Sequence, residues 1–291
     1  MPVKKGHYHK LREKWSKRHE ELATELWTKH KDSFDWLSKN TKQLAATSLG
    51  SLILLTTPGN PTLYLPESQA KEFPIELDNR VFLMSDLAKI LPEDVRELTP
   101  EEEQKISEVL SRDFGIKATS VLDGKRLNRN YGIIGAEQHL RRFPGDTMNT
   151  HFDTADEANL YYSSGMSPGL GAWGYFAESK EQMTKEDSEK EKYYIAVQTF
   201  LAPAYNLRVS EYRDFFKYRK MLVVNPQNGK GIVTVIGDAG PAVWTGKHLG
   251  GSAEVMYYLE REDGARRGSV LYFFIDDPRD LVPLGPIQVA S

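Results

Sequence analysis

Asp238 is the residue of this chain best placed to do chemistry. It follows the apolar, β-branched run Ile232–Ile236 and Gly237, and it precedes Ala239-Gly240-Pro241. A strand that ends in an acid held by a Gly/Pro turn can present one carboxyl group to a groove. Asp also opens turns for purely structural reasons, so position alone does not separate the two roles. Met221–Asn225 is a second apolar run, and Pro226-Gln227-Asn228-Gly229-Lys230 joins it to the first. Within that connection, Asn-Gly supplies residues that accept the positive φ of a hairpin turn. Trp244, Lys247 and His248 follow Asp238 closely in the chain, while Trp173 and Tyr175 stand in the glycine-rich run Gly171-Ala172-Trp173-Gly174-Tyr175-Phe176. These five are the candidate substrate-binding residues. Aromatic faces stack on sugars, although they fill cores as readily.

A lone carboxyl group can serve as general acid if it stays protonated near neutral pH, which calls for partial burial and no adjacent cation. Ala239 beside Asp238 favours that state, whereas Lys247 or His248 in the same pocket would oppose it. Other chemistries are less well supported. His151-Phe152-Asp153, with Asp156 and His139, offers ligand types for a metal but no diagnostic spacing, so no metal or other cofactor is assigned. Gly165–Gly174 lacks the Gly-Lys-Ser/Thr step of a phosphate loop. The chain has no cysteine, which excludes disulfides, zinc–thiolate sites, cysteine nucleophiles and a lipidated cysteine. A net charge of −3 argues against a nucleic-acid partner.

Among 291 residues, 1–42 carry eleven Lys/Arg against six Asp/Glu, and a charge-free stretch then runs from Gln43 to Pro66 around the apolar Leu44–Leu55. A basic flank, an apolar run and the break at Thr57-Pro58-Gly59 have the layout of an export signal or anchor. Residues 1–58 are therefore read as a basic amphipathic leader with an apolar signal or anchor segment, its basic end cytoplasmic. Leu11, Trp15, Leu22, Leu26, Trp27 and Trp36 give residues 7–40 a helical face suited to a membrane surface. Residues 59–118 form a helical spacer. Its clearest helix has Thr99 as N-cap, Pro100 in the first turn and Gly115 as stop. Residues 119–291 hold short β-like runs at Tyr131–Ile134, Gly171–Phe176, Tyr193–Leu201, Met221–Asn225, Ile232–Ile236 and Ser269–Ile275, the pattern of a small closed barrel. The almost wholly polar Glu178–Lys192 reads as a solvated surface excursion, and no internal repeat is evident.

With these runs in place, Met221–Met256 resembles the double-psi β-barrel of the rare lipoprotein A family, and the related barrel of the membrane-bound lytic transglycosylase A family. The resemblance rests on Met221–Asn225, Asn228-Gly229-Lys230, Ile232–Ile236 and Asp238-Ala239-Gly240-Pro241, then a Gly-Lys step and a helix-like run ending near Leu259. Gly171–Phe176 stands where the family's opening strand would be, and the likeness spans roughly residues 165–277. It implies a mainly β C-terminal domain, a six-stranded double-psi β-barrel, preceded by a helical and partly extended N-terminal region. It also implies an exported or membrane-anchored protein whose extracytoplasmic barrel acts on peptidoglycan glycan strands. The implied activity is that of a lytic transglycosylase with Asp238 as sole acid/base; the alternative is a non-catalytic glycan-binding or envelope-assembly module. Two departures bear on this choice. Ala239 stands where the family commonly has arginine, and Lys247–Ala253 contains no second acid.

Overall fold

The computed structural model describes residues 79–261 and 267–290. The expected leader, its apolar segment and the first part of the spacer lie outside those residues. No helix among the described residues is long and apolar enough to cross a membrane.

The described chain opens with two helices, α1 (Arg80–Ile90) and α2 (Pro100–Phe114). The ends of α2 are set by local chemistry. The Thr99 hydroxyl accepts from the Glu102 amide, the Glu102 carboxylate accepts from the Thr99 amide, and Pro100 occupies the first turn. Gly115 then ends the helix in the left-handed conformation, at φ 64°. Next come β1 (Ala118–Thr119), a small hairpin of β2 (Val121–Leu122) and β3 (Lys125–Arg126), and β4 (Tyr131–Ala136). The long connection 137–193 carries α3 (Met148–His151), α4 (Ala155–Tyr161) and α5 (Lys185–Lys192). It leads into β5 (Tyr194–Val197), α6 (Val209–Phe216), β6 (Lys220–Val224) and β7 (Gly231–Ala239). The chain finishes with β8 (Leu249–Gly251), α7 (Ala253–Tyr258), β9 (Arg267–Ile275) and β10 (Gly285–Ile287).

Six of these strands close into a mixed barrel in the order β4-β8-β5-β7-β6-β9 and back to β4. The β4–β8 and β5–β7 pairs are parallel and the other four are antiparallel. Exchanging β4 with β7, β5 with β8 and β6 with β9 leaves every pairing unchanged. The barrel thus has a pseudo-twofold pattern in its backbone that its side chains do not repeat.

Side-chain alternation explains why β6, β7 and β9 read as nearly unbroken apolar runs. Met221, Val223, Ile232, Ile236, Tyr272 and Phe274 point into the barrel and meet Tyr212, Phe215 and Phe216 of α6. Leu222, Val224, Val233, Leu271, Phe273 and Ile275 point outward, where Leu83, Leu87, Ile106, Leu110 and Phe114 of α1 and α2 cover them. Strands buried on both faces have no polar side to alternate. Gly231 is small because α2 lies on it: a Cβ there would come within 2.5 Å of the Phe114 ring.

Three strand assignments change. Gly171–Phe176 is not a strand; it is a loop with an isolated bridge between Gly171 and Gly174. The sixth barrel strand is instead β8, three residues of which two are glycine. The strand carrying Asp238 does not end at Gly237. It continues to Ala239 because Gly237 is a bulge residue, with Ile236 paired to Ile195 and Asp238 to Ala196.

Candidate functional site

On the outer face of the barrel, Asp238, Ala196 and Gly250 follow one another across β7, β5 and β8. Glu137, just beyond β4, lies over Gly250, where a Cβ would meet its Cγ at 2.4 Å. The face therefore has a floor of small residues between two carboxylates, on strands whose inward side chains Ile236, Ile195 and Leu249 fix them in the core.

Asp238 is half-buried. Its Oδ1 accepts from the amides of Ala172 at 2.6 Å and of its neighbour Ala239 at 2.8 Å. Burial raises the carboxyl above its ordinary value, and the two amide hydrogen bonds do not fully offset it. Among the described residues no lysine, arginine or histidine pairs with it. Lys247 is taken up elsewhere: its ammonium binds Glu137 and the Ala136 carbonyl, and its stem lies across Gly135. His248 is also committed, its Nδ1 accepting from the Ile133 amide at 3.0 Å, with burial holding it below its ordinary value. Among the described residues, neither Lys247 nor His248 pairs with Asp238.

The aromatic candidates divide. Trp173 packs against the inner core and donates from its indole to the Ile236 carbonyl at 3.0 Å. It anchors the loop that delivers the Ala172 amide to Asp238. Tyr175 is partly exposed, and Trp244 is 88% exposed, so it is no core residue. Gln198 ties the Trp244 loop to β5 by donating to the carbonyls of Pro241 and Lys247. Phe200, Leu201 and Val243 are exposed on the same two loops.

A second cluster lies in the connection 137–193. His139, His151 and Glu191 are buried, with their ligand-type atoms within 4.8 Å of one another. His151 Nδ1 is 2.9 Å from Asp146 Oδ2 and its Nε2 is 3.1 Å from Glu191 Oε2. Arg142, also buried, bonds Asp146 through its backbone amide and its Nε. Burial works against the charge on His151, but Asp146 and Glu191 overcome it and push the imidazole up to about 9. Burial likewise works to raise Glu191, and the imidazoles of His139 and His151 facing it hold it below the usual carboxylate range. Asp153 stands here with Arg142, 3.9 Å from its Nη1, and 57% exposed.

Glu191 is the functional-type residue that sequence reasoning missed. Glu178–Lys192 is not a wholly solvated excursion, because α5 turns Ser188 and Glu191 inward. Their i, i+3 spacing is the signal that marks one helix face. Glu137 was missed too; it directly follows a strand, as Asp238 was read to do.

Compared with known proteins, the chain matches no family model, no curated protein and no solved structure.

Proposed function

We propose that the barrel is a double-psi β-barrel and that the chain acts on peptidoglycan glycan strands as a lytic transglycosylase, with Asp238 as the single acid/base. The observation that carries this reading is the state of Asp238: a half-buried carboxyl, raised by burial, on an outer face floored by Ala196 and Gly250 and without a cationic partner among the described residues. Such a group protonates a glycosidic oxygen and then, as base, accepts a proton from the sugar's own 6-hydroxyl as that oxygen attacks, so no water is consumed. Two-carboxylate hydrolysis requires a second free acid across the bond. Glu137 is on the same face, but it is engaged by Lys247. In this reading the protein is exported or membrane-anchored, its N-terminal segment holding the barrel at the envelope.

The test is incubation of purified peptidoglycan with the full chain, followed by mass analysis of released fragments. Anhydro ends, one water lighter than hydrolysis products, are expected. The acid form of Asp238 is lost as pH rises through its raised value, so release should be greatest in mild acid and fall toward alkaline pH. Ordinary reducing ends would point to water activation, with Glu137 the first carboxylate to examine. A non-catalytic glycan-binding module is the second reading, favoured by the engagement of Glu137 and by the two amides that hold Asp238. Binding without release from mildly acidic to neutral pH would establish it.

Trp244 supplies a separate check. Its indole is exposed, so Trp244→Ala should change stability by no more than about 0.5 kcal/mol. Glycan affinity, read by sedimentation with insoluble peptidoglycan, should drop several-fold. Unchanged affinity would remove Trp244 from the binding surface.

A further inference from the structure

The connection 137–193 is long, and little apolar material holds it. Apart from Leu140 and Phe143, its fully buried residues are polar or charged: His139, Arg142, Asp146, His151, Ser188 and Glu191. Trp173 and Phe176 pack against the barrel, but around α3 and α5 the buried side chains are chiefly polar. Its three segments converge on the two histidines and Glu191: His139 follows β4, His151 ends α3, and Glu191 lies in the last turn of α5.

The orientation of the two imidazoles is specific. His139 Nε2 faces the Tyr161 carbonyl at 3.4 Å, and a carbonyl can only accept, so that nitrogen carries the proton. In the neutral ring, Nδ1 then presents its lone pair. It is buried without a hydrogen-bond partner, 3.5 Å from Glu191 Oε1. His151 offers its Nδ1 to Asp146, leaving Nε2 aimed at the same carboxylate. Glu191 Oε1 is itself held by the Leu140 amide at 3.0 Å. Each histidine is thus fixed through its outer nitrogen by an acceptor, while its inner nitrogen meets an acidic oxygen. That is the arrangement in which outer partners orient metal ligands. A four-coordinate ion with bonds of about 2.0–2.2 Å spaces its ligand atoms about 3.3–3.6 Å apart. His139 Nδ1 to Glu191 Oε1, at 3.5 Å, falls within that spacing, and His151 Nε2 to Glu191 Oε2, at 3.1 Å, lies just below it.

We propose that His139, His151 and Glu191 bind one divalent d-block cation of the zinc class, as a structural staple of the 137–193 connection. Two imidazoles and a carboxylate suit zinc or cobalt, and they supply too few oxygens for calcium or magnesium. The ligands are almost fully buried, at 1, 3 and 1% exposure, which shields the site from substrate. Glu254 on α7 completes the surroundings: it feels the charges of all three residues, and its Oε2 is buried without a partner. A water as fourth ligand would find its acceptor there. The alternative occupant of the cluster is a proton, carried by His151 between Asp146 and Glu191.

The full chain, purified without chelator and without a histidine tag, should contain about one zinc per molecule by plasma mass spectrometry. Removing the metal should lower the melting temperature by several degrees, and added Zn²⁺ should restore it. Cobalt-loaded protein should show the visible absorption of a four-coordinate site. His139→Ala and Glu191→Gln should each lose the metal and the chelator-sensitive part of the melting temperature. If those variants fail to fold, X-ray absorption on the zinc-loaded wild type should count two imidazoles and no sulfur. The proposal is overturned if metal-free wild type binds neither Zn²⁺ nor Co²⁺ at micromolar concentration, if the variants retain the metal, or if the ligand count differs. The first of these results would leave the proton-bridged ion network in its place.

Discussion

Asp238→Asn should reduce fragment release from peptidoglycan by about 10²-fold or more, the scale of a general acid's contribution. The substitution isolates the proton, because the amide oxygen of Asn can accept from the same Ala172 and Ala239 amides that Oδ1 meets at 2.6 and 2.8 Å. Stability moves the other way. The folded carboxyl is raised, so its stabilising contribution is complete below the unfolded value and is lost as pH rises through the folded one. Above that folded value the wild type holds a disfavoured carboxylate that the variant lacks. Asp238→Asn should therefore melt no lower than wild type at alkaline pH, and any advantage should vanish in acid. A variant that stays active would remove Asp238 from catalysis, whereas one that is inactive and melts much lower would mark it as a structural residue.

The largest loss of stability is expected at Phe216. It is fully buried where α6 closes the barrel, with ring centroids 5.2 Å from Phe215, 5.7 Å from Tyr212 and 6.4 Å from Phe274. Phe216→Ala opens a cavity among side chains that strands on all sides hold in place, at a cost of about 3–5 kcal/mol. At about 2–4 °C per kcal/mol for a domain of this size, the melting temperature should fall by roughly 6–20 °C. A fall of less than a few degrees would mean that α6 repacks or that it contributes little to the core.

How far the sequence reveals this architecture depends on what each element is made of. The strands Lys220–Val224 and Gly231–Ala239 were legible because both faces are buried and their β-branched runs are dense. Helix α2 was legible because its caps are local chemistry, complete within the segment itself. Leu249–Gly251 was not: its glycines answer to Glu137 and to Ile134, Val255 and Met256, all of them outside the strand. Gly171–Phe176 looked like a strand because aromatic and small residues alternate there. That alternation instead lets Trp173 anchor the loop while Ala172 turns its amide to Asp238. Asp238 could be singled out from its place after a β-branched run, but its freedom from Lys247 could not. It depends on Glu137, more than a hundred residues away. Glu191 was hidden among charges, since a burial that depends on His139 and His151 leaves no apolar trace in its own helix.

The pairing pattern of the barrel also sets the order in which the protein can be made. Strand β9 lies between β4 and β6 in the ring, and Tyr131 at one end of the domain pairs with Leu271 near the other. The ring therefore cannot shut on the ribosome until Arg267–Ile275 has emerged from the exit tunnel. Until then β4 and β6 each keep an edge unpaired, and the inward phenylalanines have no roof. The β6–β7 hairpin can form early, with α1 and α2 already made to cover its outer face, but its inner face lacks Tyr272 and Phe274 until β9 arrives. Long-range closure of this kind is slow. The nascent chain thus spends its most vulnerable interval with its best strands already made, and a holdase chaperone would find its binding surface there.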